Sequence, residues 1–294
     1  MQSDMLIGAG YALLTAIFWG FAPVLIKRVV TRNVSPLLFS AIRSPFALSA
    51  LLLITYITGD IYYLFSVTFP SLFIIFIASV SSLVFADTMY FTGIKKAGVS
   101  ISTPIAFTYP LPALLFAYIL LNEEINAALY LGTILIVSGI FLITYQKRDT
   151  ESQRNILKGV AFVFMATIGW SFGLTIMKIA LLTVSPLIVS VYRTFFLMIM
   201  LSPYAIMKRT IIRRINRMSL FLVAVAGIIG LGFGALTLFI SLVYIGAARG
   251  SAISASAPLF SALFAAIFLK EKLRFFQVIG ILITLIGTWV IILP

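Results

Sequence analysis

The stretch VSPLLFSAIR (residues 34–43) returns 150 residues later as VSPLIVSVYR (184–193). The two copies share the opening Val-Ser-Pro-Leu, a central Ser and the final Arg. Upstream, GAGYALLTAIFWGFAPVLIK (8–27) aligns without gaps with GVAFVFMATIGWSFGLTIMK (159–178), and the matched positions include a Trp and a Lys. The repetition predicts that the chain is one structural unit used twice.

The composition places this unit in a lipid bilayer. Apolar residues make up 62% of the chain and charged residues only 10%, whereas soluble proteins average about 45–50% and about 25%. The chain contains no Cys and no His, which excludes thiol chemistry and removes the usual metal ligand, general base and neutral-pH proton switch. We therefore expect no metal, no cofactor and no enzymatic activity, since neither a GxSxG nor an HExxH constellation can be assembled.

Ten apolar stretches are long enough to cross a membrane, because a hydrocarbon core about 30 Å thick needs about 20 residues of helix. The predicted spans are 5–26, 36–57, 70–94, 97–121, 127–145, 157–181, 186–206, 218–244, 248–269 and 275–293. They predict an all-α integral membrane protein with a first five-helix repeat at 5–145, a basic and polar linker at 146–156 and a second five-helix repeat at 157–293. Since five is odd, the second repeat enters from the opposite side, and inverted repeats are typical of transporters with a site near the membrane midplane.

The residue types at matched positions resemble the EamA repeat of the drug/metabolite transporter superfamily. The matched set is Trp19, Lys27, Ser35, Pro36, Arg43, Pro110 and Glu123, followed by Trp170, Lys178, Ser185, Pro186, Arg193, Pro258 and Glu271. This resemblance implies ten helices, no use of ATP, and secondary transport, often export, of small metabolites such as amino acids, or of drugs. Two alternatives stay open: transport of anionic phosphorylated or nucleotide-linked metabolites, and a passive channel or scramblase.

Asp87 is the only acidic residue inside a predicted span, about five residues from the middle of the third helix. An intramembrane carboxylate is a candidate functional group because a charge in hydrocarbon is expensive unless it is paired. Its aligned partner is Ala235, so the carboxylate occurs once. Asp87 is predicted to bind a substrate amine or to carry a coupling proton; a structural pair with Arg43 or a hydrogen bond to a neighbouring helix is the alternative.

Aromatic residues with polar tips accompany Asp87 at similar depth. Trp19 and Trp170 fall near the centres of the first and sixth helices, where a Trp needs a partner for its N–H or a cavity to face. Tyr90 and Tyr109 have the apolar counterparts Leu238 and Ala257 in the second repeat. Together with Asp87, the residues Trp19, Tyr90, Tyr109 and Trp170 form the predicted substrate-binding set, with core packing as the alternative.

The duplicated cations receive a different interpretation. Arg43 and Arg193 lie about seven residues, or about 10 Å, inside the second and seventh helices, and the inverted topology places them near opposite membrane faces. Because both copies keep the Arg, we expect a structural or gating role, while binding of an anionic substrate is the alternative. Lys27 and Lys178, at the ends of the first and sixth helices, are interpreted in the same way.

Prolines inside the fourth predicted helix and glutamates at two helix ends also have predicted structural roles. Pro104, Pro110 and Pro112 should kink the fourth helix, whose freed carbonyls would then face protein or a cavity. Glu123 and Glu271 are expected to act as helix caps or loop anchors.

Basic residues are concentrated in the loops on the side of the membrane away from the N-terminus. These are Lys27, Arg28, Arg32, Lys95, Lys96, Lys147, Arg148, Arg154, Lys158, Lys208, Arg209, Arg213, Arg214, Arg217, Lys270, Lys272 and Arg274, against Arg249 alone on the terminal side. The positive-inside rule therefore predicts a multi-pass protein of the plasma membrane with both termini outside. The expected partners are the lipid bilayer, a small-molecule substrate and a coupling proton, without nucleic acid; we expect a monomer, with a dimer as the alternative.

Overall fold

The computed structural model describes residues 2–27, 35–144, 153–268, 270 and 273–292. These residues are almost entirely helical, and no strand occurs among them. The all-α fold class is confirmed.

Ten apolar helical spans cover the described residues, numbered here α1 to α10 in chain order. They are α1 Gln2–Lys27, α2 Pro36–Ile57, α3 Phe69–Ala97, α4 99–121, α5 Ala127–Thr144, α6 Gln153–Ala180, α7 Pro186–Met207, α8 217–245, α9 247–268 and α10 Phe275–Ile292. A short 3-10 helix, Asp60–Phe65, lies between α2 and α3, and a helical turn, Arg209–Ile212, lies between α7 and α8.

The boundary between α8 and α9 is a backbone break inside a continuous stretch of helix. Arg217–Ser254 is predominantly apolar over its 38 residues, which is about 57 Å of helix and far more than a bilayer requires. Gly246 interrupts it with φ 80° and ψ 173°. The part that follows joins the shorter apolar helix Ala257–Phe268. Nine long apolar helices and one short one within the described ranges therefore amount to ten spans.

The repeated Ser-Pro dipeptide begins a helix in both copies. Ser35 is the N-cap of α2 and its hydroxyl accepts a hydrogen bond from the Leu38 backbone N–H at 3.2 Å; Ser185 accepts from the Ile188 N–H at 3.5 Å at the start of α7. The following Pro occupies the first helical position in each case, where its missing N–H costs nothing and its fixed φ suits the helix. The motif thus repeats because it sets where two equivalent helices start.

The predicted kink in the fourth helix is confirmed as a break. α4 consists of Val99–Ala106 and Pro110–Leu121, separated by a turn at 107–109. Pro110 opens the second segment, since it cannot donate to the preceding turn.

Two π-helical turns also interrupt the helices at corresponding positions. Val80–Ala86 lies in the middle of α3 and Gly227–Phe233 in the middle of α8. A π turn widens the helix and misaligns its carbonyls, and such turns are found frequently at functional sites.

Close backbone approach holds α5 against α10. Gly139 faces Gly280 so closely that a Cβ built on Gly139 would lie 2.6 Å from the Gly280 carbonyl oxygen; Gly132 and Gly287 approach in the same way, at 2.7 Å. Without a hydrophobic force between helices in lipid, such small-residue contacts are a main source of helix association.

We expect Gly139→Ala to lower the thermal stability of the detergent-solubilised protein, because the new methyl group overpacks this contact at a cost of about 1–3 kcal/mol. Gly10→Ala is the matched control, since no atom of the described residues lies within 4 Å of a Cβ at that helical position. The control should be neutral or slightly stabilising. Equal midpoints of thermal unfolding for the two variants would contradict the role of the α5–α10 contact.

Candidate functional site

A cavity of about 370 Å³ lies among α1, α2, α3, α4, α6, α7 and α8. All five residues of the predicted substrate-binding set line it, as do both duplicated arginines. These lining residues are Trp19, Arg43, Asp87, Tyr90, Tyr109, Trp170 and Arg193. The helices thus bring together side chains that are as much as 174 positions apart in the sequence.

Asp87 and Trp170 form the polar centre of the cavity wall. The indole Nε1–H of Trp170 on α6 donates to Asp87 Oδ1 on α3 at 2.9 Å. Asp87 directly follows the π turn of α3. The hydrogen bond satisfies both the need of a membrane-centred Trp for an acceptor and part of the need of a buried carboxylate for donors.

Trp19 occupies the corresponding place in the other repeat but has a different partner. Its Nε1–H donates to the backbone carbonyl of Gly230 at 3.0 Å, and Gly230 lies within the π turn of α8. Trp170 therefore uses a carboxylate where Trp19 uses a backbone carbonyl of the π turn. This difference makes the cavity chemically asymmetric within a duplicated scaffold.

The two tyrosines contribute in different ways. The Tyr90 ring packs edge-on against Trp170, with ring centroids 5.2 Å apart, and its hydroxyl lies 3.4 Å from Thr103 Oγ1. Tyr109, which is only 8% exposed, donates to the Ser251 carbonyl at 3.3 Å, and its own carbonyl accepts from Ser171 Oγ at 2.6 Å. Tyr90 thus supports Trp170, whereas Tyr109 ties the break in α4 to α6 and α9.

Arg43 and Arg193 do not lie apart, as the depth argument predicted; they line the same cavity. Each is the eighth residue of a 22-residue helix, so their backbones differ in depth by only about 10 Å. α2 and α7 pack against each other, and the long side chains close the remaining gap. The expectation of opposite faces was wrong because it considered backbone depth and ignored side-chain reach.

Each guanidinium stacks on an aromatic ring. The Cζ atom of Arg43 lies 5.2 Å from the centroid of Phe39, and that of Arg193 lies 5.7 Å from the centroid of Phe239. Arg43 Nε and Arg193 NH1 are buried without a hydrogen-bond partner. Stacking holds the plane of a guanidinium while leaving its N–H edge free to bind an acceptor.

Lys178 lies outside the cavity wall, at the junction of α8 and α9. Its Nζ donates to the carbonyl oxygens of Leu242 at 2.5 Å and Val243 at 3.3 Å, which are among the last carbonyls of α8. The side chain of Lys27, its counterpart, lies outside the described part of the chain.

Glu123 caps the helix that follows the same junction. Its Oε1 accepts from the Ala247 N–H at 2.7 Å and its Oε2 from the Ala248 N–H at 2.9 Å. The capping role predicted for Glu123 is confirmed; Glu271 falls outside the described residues. Glu123 and Lys178 therefore stabilise the start of α9 and the end of α8, respectively.

Some features of the site carry no signal in the sequence. The π turns read VSSLVFA and GIIGLGF, which have only Leu and Phe in common and share no helix breaker. Phe239, which supports Arg193, is one of many apolar residues in α8. Within the described ranges, no group of three or more His, Cys, Asp or Glu is placed to hold a metal ion.

A family model and a sequence relative both indicate a transporter. A model of the EamA-like transporter family matches residues 6–145 and again 157–293. An uncharacterized transporter of Archaeoglobus fulgidus is 26% identical over 222 residues, which cover 75% of this chain and 76% of that protein. The fold is also similar to that of a protein of known crystal structure, with a TM-score of 0.79 over 98% of this chain and 96% of the other chain. Its 16% identity makes this last likeness one of fold alone.

Proposed function

The chain belongs to the EamA-like transporter family, and from this premise we propose that it is a secondary active transporter that moves small organic metabolites by alternating access. The observation that carries the proposal is the central cavity, whose wall combines residues of both halves with one carboxylate, Asp87. Alternating access in inverted-repeat transporters rocks the two halves about such a site.

The substrate is proposed to lie between Trp19 and Trp170 and to contact Tyr90 and Tyr109. These side chains offer aromatic faces with a few polar groups, which is the usual composition of a small-molecule site. A cavity of about 370 Å³ is within the size range of pockets that enclose small organic molecules, about 300–1,000 Å³.

Asp87 is proposed to carry the coupling proton. It is the only acidic side chain among the described residues that line the cavity, and one of its oxygens already accepts from Trp170. The charged or titratable groups that share the cavity with it are Arg43, Arg193, Tyr90 and Tyr109. Protonation of a lone carboxylate would change the charge of the cavity by one unit, which is what coupling requires.

Export across the plasma membrane, with both termini outside, is the direction and orientation that we propose. The support is the family resemblance for export and the loop distribution of Lys and Arg for orientation. A terminal tag that is accessible to a membrane-impermeant reagent on intact cells would agree with this orientation, and an inaccessible tag would contradict it.

Counterflow in proteoliposomes tests the transport proposal. A thermal-shift screen over amino acids, nucleotides, carboxylates and cationic drugs first identifies a ligand. Vesicles preloaded with that ligand unlabelled should then accumulate labelled ligand transiently above equilibrium, because a carrier exchanges one molecule for another. Uptake without such trans-stimulation would indicate a channel or scramblase, and conversion of the ligand would indicate an enzyme.

A further inference from the structure

The charges that line the cavity do not balance. Two arginines and one aspartate, Arg43, Arg193 and Asp87, are the charged side chains among the described lining residues. With each group in its ionised form, two positive charges and one negative charge leave a surplus of one positive charge. A surplus charge in a site of low dielectric is costly unless something neutralises it.

The arginines are held in position but hardly bonded. Arg43 makes one long hydrogen bond, from NH2 to Ser40 Oγ at 3.5 Å, and its Nε has no partner. No hydrogen bond of Arg193 is found within the described ranges, and its buried NH1 has no partner. Each guanidinium carries five N–H donors and lies over a Phe ring, so most of its donor capacity is unused.

We infer that the cavity takes its substrates as small organic monoanions, with a carboxylate bound by Arg43 and Arg193 and an apolar or aromatic body against Trp19 and Trp170. This inference rests on the proposed function, since it assigns a substrate class to the same cavity. A carboxylate matches the planar fork of a guanidinium and accepts two parallel hydrogen bonds from it.

Charge arithmetic separates the monoanion from its competitors. A monoanion brings the surplus of one positive charge to zero. A phosphate dianion would leave one negative charge, and an organic cation would raise the surplus to two positive charges. Because unneutralised charge is penalised most where water is excluded, the monoanion is the best-matched occupant of the three.

Tryptophan fluorescence provides the test. The chain has three Trp residues; Trp19 and Trp170 line the cavity, and Trp289 is 67% exposed on α10. In the Trp289→Phe protein the signal comes only from the cavity. We expect 3-phenylpropanoate to quench it saturably, while the neutral 3-phenylpropanamide, the cation 2-phenylethylamine and the dianion phenyl phosphate bind at least tenfold more weakly.

Variants on the Trp289→Phe background separate the arginines from a general charge effect. Arg43→Gln and Arg193→Gln should each weaken 3-phenylpropanoate at least tenfold, and Arg193→Lys should restore only part of this loss because Lys lacks the planar fork. Arg213→Gln, which removes an exposed loop charge, should leave the affinity unchanged. Thermal unfolding identifies a variant that does not fold. In that case the comparison of the four probes, made on the protein that keeps both arginines, decides the inference.

The outcomes also separate this inference from the transport proposal. Tighter or equal binding of the amide, the amine or the phosphate would overturn the monoanion assignment while leaving the cavity as the substrate site. Absence of saturable quenching by any probe would overturn the assignment as well. Transport itself is judged independently, by counterflow with whatever ligand the thermal-shift screen identifies.

Discussion

Replacing Asp87 with Asn is expected to abolish substrate-coupled proton movement while leaving substrate exchange intact. The amide of Asn keeps the size of the side chain and can still accept from Trp170 Nε1–H, the donor that lies 2.9 Å from Asp87 Oδ1, but it cannot take up a proton. The variant is therefore locked in a neutral state, which resembles protonated Asp87. A carrier locked in this state can still exchange one substrate molecule for another, so counterflow continues. Accumulation driven by a proton gradient needs a group that takes up and releases a proton, so it is lost.

The measurement pairs two assays on the same proteoliposomes. A pH-sensitive dye trapped inside reports proton movement on addition of substrate, and labelled substrate reports counterflow. Asp87→Asn should lower the proton signal by at least tenfold at unchanged counterflow. Asp60→Asn is the control, because it removes a carboxylate that lies on the 3-10 helix between α2 and α3, outside the central cavity.

Two results would contradict the proton role. Undiminished proton movement in Asp87→Asn would show that another group carries the proton. Loss of counterflow at an unchanged unfolding temperature would assign the carboxylate to substrate binding, as expected if it holds an amine.

The two arginines determine whether the proton and the substrate should move in the same direction or in opposite directions. Protonation of Asp87 removes the negative charge that repels a carboxylate bound in the same cavity, and so it strengthens binding of the monoanion. Proton and anion should therefore bind together and move in the same direction. Such electroneutral symport can run outward when the metabolite accumulates inside, which is consistent with export.

How much of this arrangement the sequence predicts depends on the kind of feature. Helix starts and breaks follow from local chemistry, so Ser35, Ser185 and Pro110 could be interpreted directly from the chain. Depth in the membrane follows from counting residues, which is why Trp19, Asp87 and Trp170 could be selected as a set before their contacts were known.

Contacts between helices could not be predicted in the same way. Arg43 and Arg193 meet because of how α2 packs against α7 and because their side chains are long. Neither factor enters an estimate of membrane depth that counts residues along each helix. The π turns are not predicted by local chemistry, because VSSLVFA and GIIGLGF contain no Pro and only the second contains Gly, so they share no local cause for a wider helix. For this reason the hydrogen-bond acceptor of Trp19, the carbonyl oxygen of Gly230, could not be predicted from the sequence.

Substituting Gly246 with Ala is expected to be among the most destabilising single-methyl changes in the chain. Its φ of 80° and ψ of 173° lie in a region that is essentially restricted to Gly, at a cost of about 1–3 kcal/mol for other residues. A Cβ there would also lie 2.7 Å from both carboxylate oxygens of Glu123. The methyl group would therefore displace the side chain that caps α9.

Gly98 supplies the matched control. It joins α3 to α4 with φ 77° and ψ 164°, and no atom of the described residues lies within 4 Å of a Cβ at this position. Gly98→Ala should carry the backbone strain alone, so the difference between the two unfolding temperatures measures the collision with Glu123. Equal temperatures would mean that the Glu123 cap yields without cost.

A double-mutant cycle then tests whether collision and cap are one interaction. Glu123→Ala leaves the N–H groups of Ala247 and Ala248 without their acceptor, at about 1–3 kcal/mol each, but it also clears the space that the methyl group introduced by Gly246→Ala needs. The double variant should therefore lose less stability than the sum of the single variants. Additive losses would place the cost of Gly246→Ala in the backbone alone. Non-additivity would identify the Glu123 carboxylate as a second reason, beside the backbone conformation, for a glycine between α8 and α9.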